Sequence, residues 1–354
     1  MTTPCLDKGL EKLYGKPLPA VVVQKLQGDA STRSYFRVHA EEARKGPSSV
    51  IVMQLPDDAF GSDEGGAQPD IERLPFLEVG ELLRSRGIPV PKIYVEHLER
   101  GQVLLEDLGD TTFEQRLLRT PKAQWKESYG QAVDLLVEIH ERCDDLPPSS
   151  IVARRKFDRQ LLEWELDHFR RWGLVELFGN LGSMQAQVMS DAFSAIVEEI
   201  EAMPVGFVHR DYQSRNLMVR RGDDLTIIDF QDALIGPRTY DLVALLCDSY
   251  VSLDIDLQEA MIERYAAARR IDADRIRREF WIVALHRKLK DAGRFVFIDR
   301  KRNNAGFLQW YPQSLAYVGR ALTQLPRLRP LDGLLRAEIP GFPGEVAKPA
   351  PAME

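Results

Sequence analysis

The sequence predicts an α+β fold of two lobes: a smaller first lobe on a five-stranded antiparallel sheet and a larger, mostly helical second lobe. Three observations carry this. Short β-branched or alternating runs crowd the first hundred or so residues, long amphipathic stretches fill the remainder, and an apolar run ending near residue 107 joins them. The expected division is 1–107 for the first lobe, 108–340 for the second, and a disordered tail at 341–354 that is rich in proline and poor in large apolar residues.

The elements follow in order. Val21–Leu26 reads as a strand, Gly28–Arg33 as a polar link, and Tyr35–His39 as a half-buried strand that alternates apolar and polar. Val50–Met53 is apolar and mostly β-branched, as a central strand is. Gly61–Pro69 reads as a mobile loop. A helix is expected from an Asp70 N-cap to Arg86, with Gly87 as its stop and Pro75 delaying or kinking its first turns. Ile93–Val95 and Val103–Leu105 complete the sheet. Beyond Gly109, Trp125–Glu141, Phe157–Phe178 and Met184–Met203 read as helices. Phe207–Val208, Leu217–Val219 and Asp224–Asp229 read as short strands around a polar loop, and helices resume from about Tyr240 to Leu322.

Composition narrows the function classes. The chain has 354 residues, 44% of them hydrophobic and 29% charged, which is the balance of a globular protein. Lys and Arg total 47 against 54 Asp and Glu, a formal charge of −7. That argues against a general nucleic-acid binder, which needs a basic surface. Three cysteines, Cys5, Cys143 and Cys247, lie far apart without a CxxC pair. This fits a reducing compartment and argues against a disulfide scaffold or a zinc site. The polar N-terminus lacks a signal-peptide core, and no apolar run approaches the roughly 20 residues that span a bilayer. The expected location is the cytoplasm, with no membrane, nucleic-acid or evident protein partner.

The chemistry is concentrated in His209-Arg-Asp-Tyr-Gln-Ser-Arg-Asn216, followed thirteen residues on by Asp229-Phe230. H-R-D-x-x-x-x-N with a following D-F is the phosphoryl-transfer pattern of kinases, which makes the two lobes a protein-kinase-like fold. Asp211 lies where a carboxylate orients an acceptor hydroxyl and takes its proton. Asn216 and Asp229 offer hard oxygen ligands for the Mg²⁺ that grips the phosphates of ATP. The alternative, Asx residues that merely cap a turn, accounts poorly for three polar groups at this spacing. His209 is expected to hold backbone rather than do chemistry.

On the nucleotide side, no Walker or G-x-G-x-x-G loop is present. Gly28–Arg33 reads either as a phosphate loop, with Ser31, Thr32 and Arg33 on the phosphates, or as an ordinary hairpin turn. Gln54 takes the expected place of the kinase strand-three lysine, leaving Arg33 or Arg37 to compensate. Glu78 falls where kinases keep that lysine's partner and reads equally well as a solvated glutamate. Glu106 and Leu108 lie where a hinge offers backbone groups to adenine, or in a plain connector.

Two details separate peptide from small-molecule acceptors. Gln213 stands where a serine/threonine protein kinase usually has lysine. Asp241 comes only twelve positions after Asp229, too soon for an activation segment. The chain resembles the aminoglycoside phosphotransferase/choline kinase superfamily through His209-x-Asp211-x-x-x-x-Asn216, Asp229-Phe230 and Tyr240-Asp241-Leu242, over about residues 10 to 325. Within it, Gly28–Arg37, Asp229–Asp241 and Leu285–Lys290 with Gly293 and Phe295 resemble the bacterial anomeric kinases for N-acetylmuramate and N-acetylglucosamine. That resemblance implies ATP-dependent phosphorylation of a sugar C1 hydroxyl, returning cell-wall sugars towards nucleotide-sugar synthesis. Gln213, Arg215 and Asp232 are then candidates for sugar hydroxyls. Arg215, Arg287 and Lys290 are candidates for a sugar carboxylate, although Arg287 and Lys290 also read as a solvated helix face. Asp241 is expected to anchor the catalytic loop. The competing readings are an aminoglycoside or amino alcohol kinase of the same fold, which calls for an acidic pocket, and a catalytically dead nucleotide-binding protein, suggested by Gln54.

Overall fold

The computed structural model describes residues 7–16, 21–26, 33–40, 46–56 and 73–352. Ser31, Thr32, the loop 61–69 and the Asp70 cap lie outside them. Five antiparallel strands form the first sheet: β1 (Val22–Lys25), β2 (Ser34–His39), β3 (Ser49–Gln54), β4 (Ile93–His97) and β5 (Gln102–Glu106), in the order β1-β2-β3-β5-β4. Alternation gives the sheet two apolar faces. Val38, Val50, Val52 and Leu104 pack on Leu10 and Tyr14 of helix α1 (Asp7–Tyr14). Met53, Val103 and Leu105 face the other way, into the main core, with Tyr35 and Ile51 packed beside them.

Helix α2 (Pro75–Ser85) also packs into that core, through Phe76, Leu77, Val79 and Leu83. It starts at Pro75, later than the sequence suggested. Proline at the first helical position loses no hydrogen bond, since that N–H has no intrahelical partner. Gly87, at φ +72°, turns the chain out of the helix, and the Ile88 N–H closes on the Leu83 carbonyl at 2.9 Å.

The remainder is mostly helical: α3 (Phe113–Arg119), α4 (Trp125–Arg142), α5 (Ile151–Arg154), α6 (Arg159–His168), α7 (Glu176–Phe178), α8 (Ser183–Glu201), α9 (Tyr240–Leu246), α10 (Ile255–Ala268), α11 (Ala273–Arg302), α12 (Tyr311–Gln324) and α13 (Arg329–Glu338). The stretch expected as one helix, Phe157–Phe178, is divided into α6, a π-helical segment Phe169–Val175 and α7. There α11 comes into backbone contact: a Cβ on Gly293 would lie 2.7 Å from the Phe169 Cα. Strands β6 (Val205–Val208) and β9 (Leu234–Pro237) form one two-stranded ladder, and β7 (Leu217–Val219) and β8 (Leu225–Ile227) another. β9 was missed because four residues ending in Gly-Pro carry little strand signal.

Two further expectations are corrected. Helix α11 is 30 residues long, and its middle, Glu279 to Gly293, is buried on every side, so Arg287, Lys288 and Lys290 are core residues rather than a solvated face. The expected disordered tail folds back as far as Ala352. Phe342 is buried in the main core, Arg300 donates to the Ala350 carbonyl at 3.1 Å, and the Ala352 N–H donates to Asp299 at 2.9 Å. One aromatic side chain and two backbone groups supply what the composition did not reveal.

Candidate active site

The polar loop between β6 and β7 is held from several sides. Asp241, fully buried at the start of α9, accepts the backbone N–H of His209 at 2.6 Å and of Arg210 at 3.0 Å. His209 accepts the Asp211 N–H on Nδ1 (3.3 Å), so its proton sits on Nε2 and is donated to the Ile228 carbonyl (3.1 Å). Arg210 adopts φ +76°, a left-handed backbone that non-glycine residues enter only under constraint. Farther along, Asp248 accepts both the N–H and the Oγ–H of Ser214, at 2.9 and 2.5 Å.

This scaffold presents Asp211, 37% of whose side chain is exposed. Its Oδ1 lies 3.3 Å from Nη2 of Arg287. Asn216 donates its amide N–H to the Asp211 carbonyl at 2.9 Å, which leaves its Oδ1 as an acceptor end. Asp229 follows β8 at φ +64°, and its Oδ1 accepts from Gln231 Nε2 at 3.0 Å, a nitrogen that also reaches Asp232 at 2.9 Å. Asp229 is exposed as a residue, with protein packed densely around its carboxyl. That dense surround, and then the charge of Asp211, push its acidity down and its pKa up, partly offset by Gln231 and Arg33. The Asp229 carboxylate and the Asn216 amide oxygen are hard oxygen donors of the kind a divalent cation takes. The neighbouring Phe230 fixes this segment: it stacks on Phe76 of α2 at 5.0 Å, and a Cβ on Gly80 would come within 3.1 Å of its ring.

On the nucleotide side the structure moves several assignments. Gln54 points to the α1 face of the sheet, where its Nε2 donates to the Arg100 and Gly101 carbonyls (both 3.1 Å) and its Oε1 accepts from Gln102 (3.1 Å). Met53, one residue earlier, takes the inward place expected of the strand-three lysine. Glu78 accepts the Ile151 N–H at 2.6 Å and so caps α5. Arg37 donates to Asp107 (3.0 Å), Asp110 (2.7 Å) and the Gly109 carbonyl (3.1 Å), which ties β2 to the connection after β5. Arg33 opens the same β2 face, hydrogen-bonded to Tyr35 and within electrostatic reach of Asp229. Glu106 ends β5, its carboxylate accepting the Lys92 N–H at 3.1 Å, and Leu108 follows two residues later.

Of the acceptor candidates, Arg215 is bidentate to Glu114 (2.9 and 3.0 Å) and stacks on Tyr250 at 3.7 Å, so its fork is already engaged. Gln213 and Asp232 are half-buried beside Asp211 and Asp229 in sequence. Lys290 is nearly buried, 3.5 Å from Asp291, which also accepts from Lys288 at 2.8 Å. Sequence reasoning missed Asp248, Asp291 and the Arg37–Asp107 pair, for which no local signal exists.

A five-stranded sheet beside a helical body, with Asp211, Asn216 and Asp229 gathered on loops of short ladders, defines a kinase-like phosphotransferase. The profile of the phosphotransferase enzyme family matches residues 22–281, and the chain belongs to that family. The N-acetylmuramate/N-acetylglucosamine kinase of Pseudomonas aeruginosa is 30% identical over 352 residues, covering 95% of each chain. A choline/ethanolamine kinase family protein from Mesorhizobium loti shares the fold at a TM-score of 0.59 and 15% identity, over 94% of this chain and 99% of that one. The ADP-bound aminoglycoside phosphotransferase APH(2'')-Ib matches at a TM-score of 0.57 and 13% identity, over 88% and 95%. Among the described residues, no helix is long and apolar enough to cross a membrane.

Proposed function

We propose that this phosphotransferase moves the γ-phosphoryl group of ATP to the anomeric C1 hydroxyl of N-acetylmuramate, N-acetylglucosamine or both. The observation that carries the reading is the Asp211–Asn216–Asp229 site in a chain similar over 95% of its length to a kinase named for those two sugars. An anomeric hydroxyl is more acidic than an ordinary alcohol because the ring oxygen withdraws charge, so one positioned carboxylate suffices as its base. Asp211 has one oxygen against Arg287 and the other available to orient that hydroxyl and accept its proton. Asn216 Oδ1 and Asp229 would hold Mg²⁺, which when bound neutralises phosphate charge. The Glu106 carbonyl and Leu108 N–H would meet adenine at a hinge near residue 107, and Arg33 would meet the phosphates in place of the absent lysine. Gln213 and Asp232 are the residues assigned to the sugar. The buried free thiols Cys143 and Cys247 fit the reducing cytoplasm, where ATP is available.

The test is a kinase assay with ATP and Mg²⁺ on both amino sugars, kanamycin and choline, with the phosphate position read by ³¹P NMR. A C1 phosphate on either amino sugar is expected. Turnover of kanamycin or choline with neither amino sugar would overturn the reading.

A further inference from the structure

Helix α11 brings a guanidinium into the core directly behind the catalytic loop. Arg287 is 1% exposed, although its charge makes it a natural candidate for receiving an acidic substrate group. Its Nη1 donates to the Arg210 carbonyl at 2.6 Å, its Nη2 to Asp211 Oδ1 at 3.3 Å, and its plane lies over the Tyr240 ring at 4.9 Å. Its Nε stands 4.0 Å from Asp291. We propose that Arg287 is the positioning residue for Asp211, fixing the angle at which that carboxylate meets the acceptor, and that it does not receive the acceptor's own charge. This rests on the reading of Asp211 as the base given above.

Arg210 is held by its backbone from two sides. Asp241 holds its N–H, Arg287 holds its carbonyl, and between them the residue is kept at φ +76°. A left-handed non-glycine residue persists only where its surroundings over-determine it. The direction of Asp211 follows from that dihedral. The same guanidinium then bonds the Asp211 carboxylate, so backbone and side chain are aimed by one rigid group. Only a planar fork spans a carbonyl and a neighbouring carboxylate together; a lysine ammonium is a point charge on a flexible stem. The helix also grips the far end of the loop's surroundings, where Lys288 donates to Ser249 at 2.5 Å beside the Asp248 that holds Ser214. Being sealed from solvent, Arg287 acts alike on a neutral and on a carboxylated sugar.

The test compares Arg287→Lys and Arg287→Ala with the wild type on N-acetylglucosamine and N-acetylmuramate. Misaiming a reacting group costs about 100-fold, so Arg287→Lys is expected to lower kcat by about that factor, in the same proportion for both sugars. KM values stay within about threefold, because binding contacts are untouched. ADP affinity by calorimetry is unchanged. Millimolar guanidinium restores part of the kcat of Arg287→Ala; should that variant fail to fold, Arg287→Lys alone decides. A wild-type kcat in Arg287→Lys, or a KM increase confined to N-acetylmuramate, overturns the proposal. If the wild type uses a different acceptor, the sugar reading falls by itself, and the kcat ratio measured on that acceptor decides for Arg287.

Discussion

Replacing Asp241 with asparagine separates the clamp on the catalytic loop from the chemistry it supports. The side chain keeps its shape, but the amide presents one oxygen and one NH₂ to two backbone donors, the N–H groups of His209 and Arg210. One charge-assisted bond becomes neutral or is lost, and one N–H faces another donor. A hydrogen bond to a charged group contributes about 1.5–3 kcal/mol and an orphaned buried donor costs about 1–3 kcal/mol, so the expected loss is about 2.5–6 kcal/mol. No solvent softens it, because Asp241 is 0% exposed. With about 2.1 cal/mol/K of unfolding entropy per residue, 354 residues convert that loss into a Tm decrease of about 3–8 °C. The Arg210 dihedral relaxes as its clamp weakens, Asp211 turns from its aim, and kcat falls by about 100-fold. Calorimetric melting and steady-state kinetics on one preparation measure both. A variant with wild-type Tm and kcat would refute the argument that Asp241 sets the loop geometry.

Asp211→Ala is expected to lower turnover by about 10²–10⁴-fold while calorimetry shows ADP still bound, since the carboxylate serves transfer rather than nucleotide affinity; near-wild-type turnover would remove it as the base. Asp229→Asn is expected to abolish Mg²⁺-dependent nucleotide binding yet raise the Tm of the nucleotide-free protein. Its raised carboxyl makes ionised Asp229 unfavourable in the fold, so the wild-type protein is more stable below the ordinary carboxylate range and loses that increment as pH rises through the raised value. The gap between variant and wild type should therefore close on acidification, and a Tm decrease at neutral pH would contradict this. Arg37→Met leaves the buried Asp107 carboxylate without its cation, held only by Ser49 and the Gly109 N–H, with an expected cost of up to about 3–5 kcal/mol and a raised KM for ATP. Burial works against the ionised Asp107, but bonds from Ser49 and Arg37 hold its carboxyl below the ordinary range. The increment is thus present at neutral pH and lost as pH falls through that depressed value. Melts of both proteins across pH 3–8 check it.

The parts of the fold that were legible are those with short-range signals. Alternation over β2, the apolar run of β3 and the Gly87 stop all lie within a few residues of what they determine. Gln54 shows how narrow that legibility is. Strand side chains alternate, so a misreading by one residue moved the assignment from the inward face, where Met53 sits, to the α1 face. Likewise Glu78 bonds a backbone N–H of α5 seventy-three residues away, which no local pattern announces.

The sequence by itself singled out the residues of the proposed site: Asp211, Asn216 and Asp229 lie within nineteen positions, and tight loops leave groups that close few ways to converge. It also determined that a small acceptor, rather than a peptide, is served, because the stretch after Asp229 is too short for a peptide platform. The tertiary structure decided which cations are free to meet a substrate. Arg37 is taken by Asp107, Arg215 by Glu114, and Arg287 by the catalytic loop itself, across separations of 70, 101 and 76 residues. Formal charge is a property of composition, but its availability depends on which faces fold together, and a guanidinium brought into the core is retained only where partners meet it.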